Sequence, residues 1–260
     1  KLADAIKADG QSPVPHIALG MVALNEPDGL ATAKVEFELA LQRKPDAVGA
    51  LVGLGQVKLA EGDFAGAIEK LEAAARREDD AAVRLALGTA RLRLGKPGEA
   101  AKDLRRALGY DPKNADIQSS LGQALLALGN LDEAANLLST ALQARPDATT
   151  AIAYGFVLVK QGQAERAIAI LAPVVAKEPL SAPAHYGLGL ANERLGRSAD
   201  ALAHYAKVLA APAEGPNKNA TLDLQKDAQA RIKALTPESA PASSASAGAP
   251  RREDPLTVRH

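Results

Sequence analysis

Residues Leu121–Asp147, "LGQALLALGNLDEAANLLSTALQARPD", are almost wholly leucine, alanine and turn-forming residues, and weaker copies of this segment recur along the chain. A glycine after a bulky apolar residue or tyrosine stands at Gly20, Gly55, Gly88, Gly122, Gly155 and Gly189, in steps of 35, 33, 34, 33 and 34 residues. An alanine lies twelve residues past five of these glycines, at Ala67, Ala100, Ala134, Ala167 and Ala201, and thirteen past the first, at Ala33. Four residues later comes a large side chain (Phe37, Leu71, Leu104, Leu138, Leu171, Tyr205), and three further on a small one (Ala40, Ala74, Ala107, Ala141, Val174, Val208). Proline closes most copies, at Pro45, Pro112, Pro146 and Pro179. A fixed period of this length is the mark of stacked repeats.

Each position has a physical reason. Glycine and alanine let two helices approach closely, because the interaxial distance is set by the side chains at the contact. A large residue four places on lies on the same helix face, one turn along, and fills the adjacent gap. Between glycine and alanine, "LGKPGEA", "LGNLDEA" and "LGRSADA" break the helix at a glycine able to adopt the left-handed conformation of a helix C-terminus. Each unit therefore reads as two short antiparallel helices, and the series as an all-α solenoid whose units bury their apolar faces on one another.

Composition agrees. Hydrophobic residues make up 47% of the 260 positions but aromatics only 3%, a mixture that favours helix over strand. Equal numbers of basic and acidic residues, 31 of each, create no overall field for nucleic acid or an anionic membrane. With no cysteine the chain has neither disulfides nor thiolate metal sites. The glycines are spaced rather than clustered, which argues against a phosphate loop, and no His-Glu-x-x-His motif occurs. His185 and His204 fall on the two helices of one unit and can approach each other, but a zinc site needs a third protein ligand that the sequence does not offer. The expectation is a non-enzymatic protein with no metal and no cofactor, no nucleic-acid partner and no membrane insertion.

The pattern of large and small residues with a late proline resembles the tetratricopeptide repeat family. It covers six units, at about 13–47, 48–80, 81–114, 115–147, 148–181 and 182–213. The resemblance implies a right-handed superhelix and a protein-binding scaffold whose concave face is lined by the first helix of each unit, at its second, fifth, ninth and twelfth positions. Carried onto this sequence, the fifth and ninth positions are Ile17 and Met21, Val52 and Gln56, Leu85 and Thr89, Ser119 and Gln123, Ile152 and Phe156, and Tyr186 and Leu190, with Val159 at the twelfth position of the fifth unit. Among all four positions only Asp116 and Glu193 are charged. The Lys and Asn with which the family's chaperone-binding members clamp a carboxylate are absent from these places. A largely neutral, apolar groove for a partner peptide or amphipathic helix is therefore expected. Four departures stand out: Arg84 and Gln118 replace large apolar residues early in the first helix, Asp79 replaces a closing proline, and Pro173 should kink the second helix of the fifth unit.

The ends follow the same logic. In "LADAIKADG", Leu2, Ala5 and Ile6 fit the tail of a preceding second helix, so residues 1–12 read as the end of a truncated repeat. Lys1 in place of methionine agrees, and leaves room for a missing targeting segment, so a periplasmic or envelope location is slightly favoured over the cytoplasm. Residues 217–236 form an amphipathic capping helix with Leu224, Ala228, Ile232 and Leu235 on one face, and 237–260 a disordered Pro/Ala/Ser-rich tail. The alanine-rich composition resembles bacterial repeat proteins of envelope assembly, including pilus biogenesis, secretion and polysaccharide export. Two other readings stay open: self-assembly of the chain, and a regulatory arm of a larger enzyme.

Overall fold

A computed structural model describes residues 12–214 and 218–236. These residues form thirteen helices and no strand. In chain order they pair as α1 (Val14–Leu24) with α2 (Leu30–Arg43), α3 (Val48–Glu61) with α4 (Phe64–Ala75), α5 (Ala81–Arg93) with α6 (Pro97–Tyr110), and α7 (Ala115–Leu128) with α8 (Leu131–Ala144). They continue as α9 (Ala148–Lys160) with α10 (Ala164–Lys177) and α11 (Ala182–Arg194) with α12 (Ser198–Ala210), followed by a single helix α13 (Lys218–Leu235). Each second helix packs on its own first helix and on the first helix of the next unit, and first helices of successive units also touch. The result is a solenoid with a core shared along its length.

The glycine and the large residue are two halves of one contact. A Cβ on Gly122 would lie 2.5 Å from Leu138, and one on Gly88 2.5 Å from Leu104. The same pairing joins Gly20 to Phe37, Gly55 to Leu71, Gly155 to Leu171 and Gly189 to Tyr205. Two further glycines extend it across units: Gly53 receives Phe37 and Gly187 receives Leu171 from the preceding repeat. The turns between paired helices use a different glycine. Gly62, Gly95, Gly129, Gly162 and Gly196 all have φ between 71° and 81° and end the first helix of units two to six in the left-handed conformation. Asp63, Asp80, Asn114 and Asp147 then cap helix N-termini by accepting backbone N–H bonds.

Two of the sequence's departures are partners of each other. Asp79 accepts a forked pair of bonds from Arg84, which also donates to Asp103 at 2.8 Å, and Asp79 takes Arg106 as well. Asp103, only 3% exposed, is shared with Arg91, which reaches Glu72 at 2.8 Å. Arg84's hydrogen bonds hold the Asp79 carboxyl below its ordinary range, opposing the effect of burial. Breaking one member would strand a buried charge, a loss of about 3–5 kcal/mol where desolvation is complete. Gln118 at the equivalent place in the fourth unit donates to the Pro112 carbonyl at 2.8 Å. Pro173 is held inside α10, which continues to Lys177, and its missing N–H frees the Ala169 carbonyl on an exposed surface.

Residues 1–11 and 237–260, and with them the truncated repeat of Leu2, Ala5 and Ile6 and the Pro/Ala/Ser-rich tail, lie outside the described residues. Among the described residues no helix is long and apolar enough to cross a membrane.

Candidate partner-binding groove

Four successive first helices and the α8–α9 junction enclose an open cavity of about 720 Å³. Thr89, Leu92 and Arg93 come from α5, Asp116, Ser119, Ser120, Gln123 and Leu126 from α7, Thr149, Thr150, Ile152, Ala153 and Phe156 from α9, and Pro183 from α11. Arg145 and Asp147 close its rim. Of the thirteen residues expected in the groove, Thr89, Ser119, Gln123, Ile152 and Phe156 meet around this one space.

Its floor is apolar and its wall polar. Leu92, Leu126, Ile152 and Phe156 supply the apolar part. Along the wall, Asp147 accepts from the Thr150 hydroxyl at 2.6 Å, so Thr150 in turn accepts from Ser119 at 2.7 Å, and Ser119 accepts from the Gln123 amide at 3.2 Å. This relay fixes the hydroxyl directions and presents the Gln123 amide at the groove surface. Arg145 and Asp116 form a bidentate pair across the rim, with one bond of 3.0 Å. The lining is thus neutral in sum but carries charge at Arg93, Asp116, Arg145 and Asp147, three of which lie outside the helix positions from which a neutral groove was expected.

The other expected residues fall elsewhere. Val159 is 3% exposed and belongs to the central core cluster, with Ala134 and Ala164 among its members, rather than to the lining of the cavity. Ser119, one of the five that meet at the cavity, is itself only 7% exposed and acts through its bonds to Thr150 and Gln123. Ile17 and Met21 pack on the Phe37 cluster of the first unit, Val52 and Leu85 are half-buried against their neighbours, and Gln56 is exposed. Leu190 is half-buried on the central core.

Tyr186 is covered by the chain itself. Its ring lies between those of Phe156 and Tyr205, with centroids 6.2 and 5.9 Å away, and the Arg231 guanidinium of α13 stands 5.9 Å from its centre. The Tyr186 hydroxyl donates to Asp227, while Arg231 reaches both carboxylate oxygens of Glu193, at 2.9 and 3.1 Å. Tyr205, fully buried, donates to Glu193 at 2.6 Å. Burial first, then the Glu193 contact, raises the Tyr205 hydroxyl far above the usual tyrosine range. The sequence placed α13 as a cap with Asp227 off its packing face; its reach over Tyr186 and Glu193 nevertheless depends on Asp227 and Arg231. Their i, i+4 spacing was visible, but their target was not.

His185 and His204 do meet, Nδ1 to Nδ1 at 3.1 Å. His185 Nε2 faces the Pro179 carbonyl at 3.1 Å and must donate to it, leaving His185 Nδ1 to accept from His204. Two neutral imidazoles satisfy this arrangement, and among the described residues no group of three His, Cys, Asp or Glu side chains is placed to hold a metal ion.

Comparison with known proteins agrees with the repeat geometry. A tetratricopeptide repeat model matches residues 30–82, 85–149 and 157–217, well over half of the chain. The chain belongs to the tetratricopeptide repeat family, and is an all-α solenoid of such repeats serving as a protein–protein interaction scaffold. No curated protein matches it in sequence. Among solved structures it is similar to a chain of the APC/C hetero-tetramer Cut9–Hcn1, with 22% identity and a TM-score of 0.73, covering 87% of this chain but 44% of that one. It is also similar to a tetratricopeptide repeat protein from Parabacteroides merdae (17% identity, TM-score 0.62, 86% and 89% of the two chains). A third is YrrB, described as a tetratricopeptide repeat protein with an unusual peptide-binding site (22%, 0.55, 71% and 95%).

Proposed function

We infer that the chain holds a partner peptide, extended or helical, in the cavity spanning α5, α7 and α9, with Phe156 and Ile152 as the apolar anchor. The observation that carries this reading is the convergence of Thr89, Ser119, Gln123, Ile152 and Phe156 on one open space of about 720 Å³. Binding hot spots are large side chains in pockets rimmed by groups that exclude water. Phe156 and Ile152 fit the first part, and the Asp116–Arg145 pair the second. The Gln123 amide and the hydroxyls of Thr89 and Thr149 suit the main-chain groups of a peptide, which need partners when desolvated. The likeness in fold to YrrB, a peptide binder by its description, supports the reading at the level of architecture. The Ala-rich composition supports a setting in bacterial envelope assembly.

A peptide array displaying apolar and mixed-charge segments, followed by titration of the best binder, tests this. Binding that survives Phe156→Asp and Gln123→Ala unchanged would place the ligand on another surface.

A further inference from the structure

The fifth unit lacks a side chain that the others have. Four residues before the packing glycine stand His16, Leu51, Arg84, Gln118 and His185, all large, but the fifth unit has Ala151. In three units this residue bonds to the second helix three places past its alanine, as His16–Glu36, Arg84–Asp103 and His185–His204. The fifth unit sets Ala151 and Ile170 at those two places. With no bridge to fill it, the space where α8, α9 and α10 meet is an open hollow of about 360 Å³, lined by Leu142, Ala151, Ile170, Pro173 and Val174. Lys177 and Glu178 stand at its rim, exposed and without an ion-pair partner among the described residues.

The turn that follows carries the complement. The residue before the N-cap of a first helix is Asp46, Asp79, Lys113 and Pro146 in the second to fifth units, but Leu180 in the sixth. Leu180 is 65% exposed, two residues past Glu178. A cavity, a projecting apolar side chain and two free charges of opposite sign thus lie on one edge of the solenoid, in consecutive turns between units.

We propose that two copies of the chain pair through this edge, Leu180 of each entering the hollow of the other, with Lys177 of each meeting Glu178 of the other. A surface that holds both a cavity and the side chain to fill it is self-complementary, and a two-fold axis satisfies both halves at once. The rim charges agree: adjacent on one chain, they meet opposite signs only when the two edges run antiparallel, as that axis requires. The symmetry uses both cavities and stops assembly at two. The hollow shares only Asp147 with the peptide groove, and this inference does not rest on that reading.

Sedimentation of the whole chain from micromolar to submillimolar concentration tests it, with circular dichroism to verify folding. The weight-average mass should rise with concentration and level off at two chains. Leu180→Asp, at an exposed site, should weaken association at least tenfold by setting a charge in the hollow. Ala151→Leu should do the same by filling the hollow, and the stack already accommodates a leucine at this register, at Leu51. Mixing these two variants should recover part of the association, since only the mixed pair rejoins one intact leucine with one open hollow. Lys177→Glu alone should weaken pairing, and adding Glu178→Lys should restore it. A chain that stays monomeric, grows beyond two, or associates equally well in Leu180→Asp overturns the proposal. So does a mixture of the first two variants that pairs no better than either alone.

Discussion

Phe156 and Tyr186 belong to one row of aromatic rings, yet Phe156 opens onto a cavity and Tyr186 lies beneath α13. Both occupy positions that the repeat pattern assigns to the concave face. The difference arises from what each has for a neighbour in the stack. Beyond the fifth unit the groove continues over α11, whereas beyond the sixth the chain turns back and sets Arg231 and Asp227 on Tyr186 and Glu193. A repeat fixes which way a side chain faces; the element following the last repeat decides whether that face stays free. The groove thus ends near Pro183, not at the end of the sixth unit.

The sharpest way to break this contrast is to remove the lid. Ending the chain at Ala211 uncovers Tyr205 and Val208 together with Tyr186, and takes away Leu224, Ala228, Ile232 and Leu235. The loss of stability should be several kcal/mol, since each fully buried large apolar side chain contributes about 1.5–3 kcal/mol. Light scattering should show dimers or aggregates, whereas removing residues 238–260 should leave the melting point unchanged. Equal behaviour of the two truncations would mean that α13 is not a cap.

Next comes the interior of the stack, where both regions obey the same rule. Gly122→Leu or Ala134→Leu should destabilise by about 1–3 kcal/mol, because a side chain at either place overpacks a close helix contact. At Gly122 the obstacle is Leu138, 2.5 Å from where a Cβ would stand. Lys113→Ala, on an exposed turn, should remain within about 0.5 kcal/mol of the parent. Chemical denaturation distinguishes these, and three equal midpoints would discredit the register of the repeats.

In the groove itself, Phe156→Asp should weaken binding of a peptide ligand by about 2 kcal/mol, since it sets an unpaired charge in a desolvated contact. Tyr186→Phe, removing only a hydroxyl already taken by Asp227, should leave binding nearly unaltered. If Tyr186→Phe were the more damaging change, the ligand would be displacing α13. The salt dependence should be mild but present, because Arg93, Asp116, Arg145 and Asp147 line the cavity in balanced numbers.

The repeat was legible because its signal is steric and local: glycine, alanine and one large residue at fixed distances specify how two helices touch, and the contacts from Gly20–Phe37 to Gly189–Tyr205 follow that spacing. The groove was legible only in part. Position in a helix says which side a residue is on, but Val159, at the end of α9, lies in the central core cluster. Arg145 and Asp147 escaped notice because they lie between helices, outside the periodic positions. Most instructive are Asp79 and Arg84, each a departure from the pattern when taken alone. Together they form an ion pair within a larger network, in which Asp103 lies nineteen residues beyond Arg84, a separation that no helical period connects.

The smallest expected effect sharpens the comparison at the capped end, where two titrating groups answer to different pH windows. Burial, then the neighbouring His185, lowers the His204 pKa below its ordinary 6.5, against a weaker upward pull from Asp200. The unfolded chain therefore binds a proton at His204 at a pH where the folded chain does not, so stability falls as pH drops through that ordinary value and is unaffected by this group well above it. The Asp227 carboxyl is held below its ordinary 3.8, first by the Tyr186 hydroxyl and then by Arg231, opposed by burial. Its contribution is present above that value and is lost only in stronger acid, as pH falls through the lower folded pKa. Of these two groups, only the His204 imidazole has its ordinary pKa between about pH 7.5 and about pH 5.5. Over that range the melting point of the parent should decline more than that of His204→Gln, which retains a side chain able to donate to His185. Equal declines would assign the acid sensitivity to another group and leave the His185–His204 contact as a pH-independent part of the sixth unit.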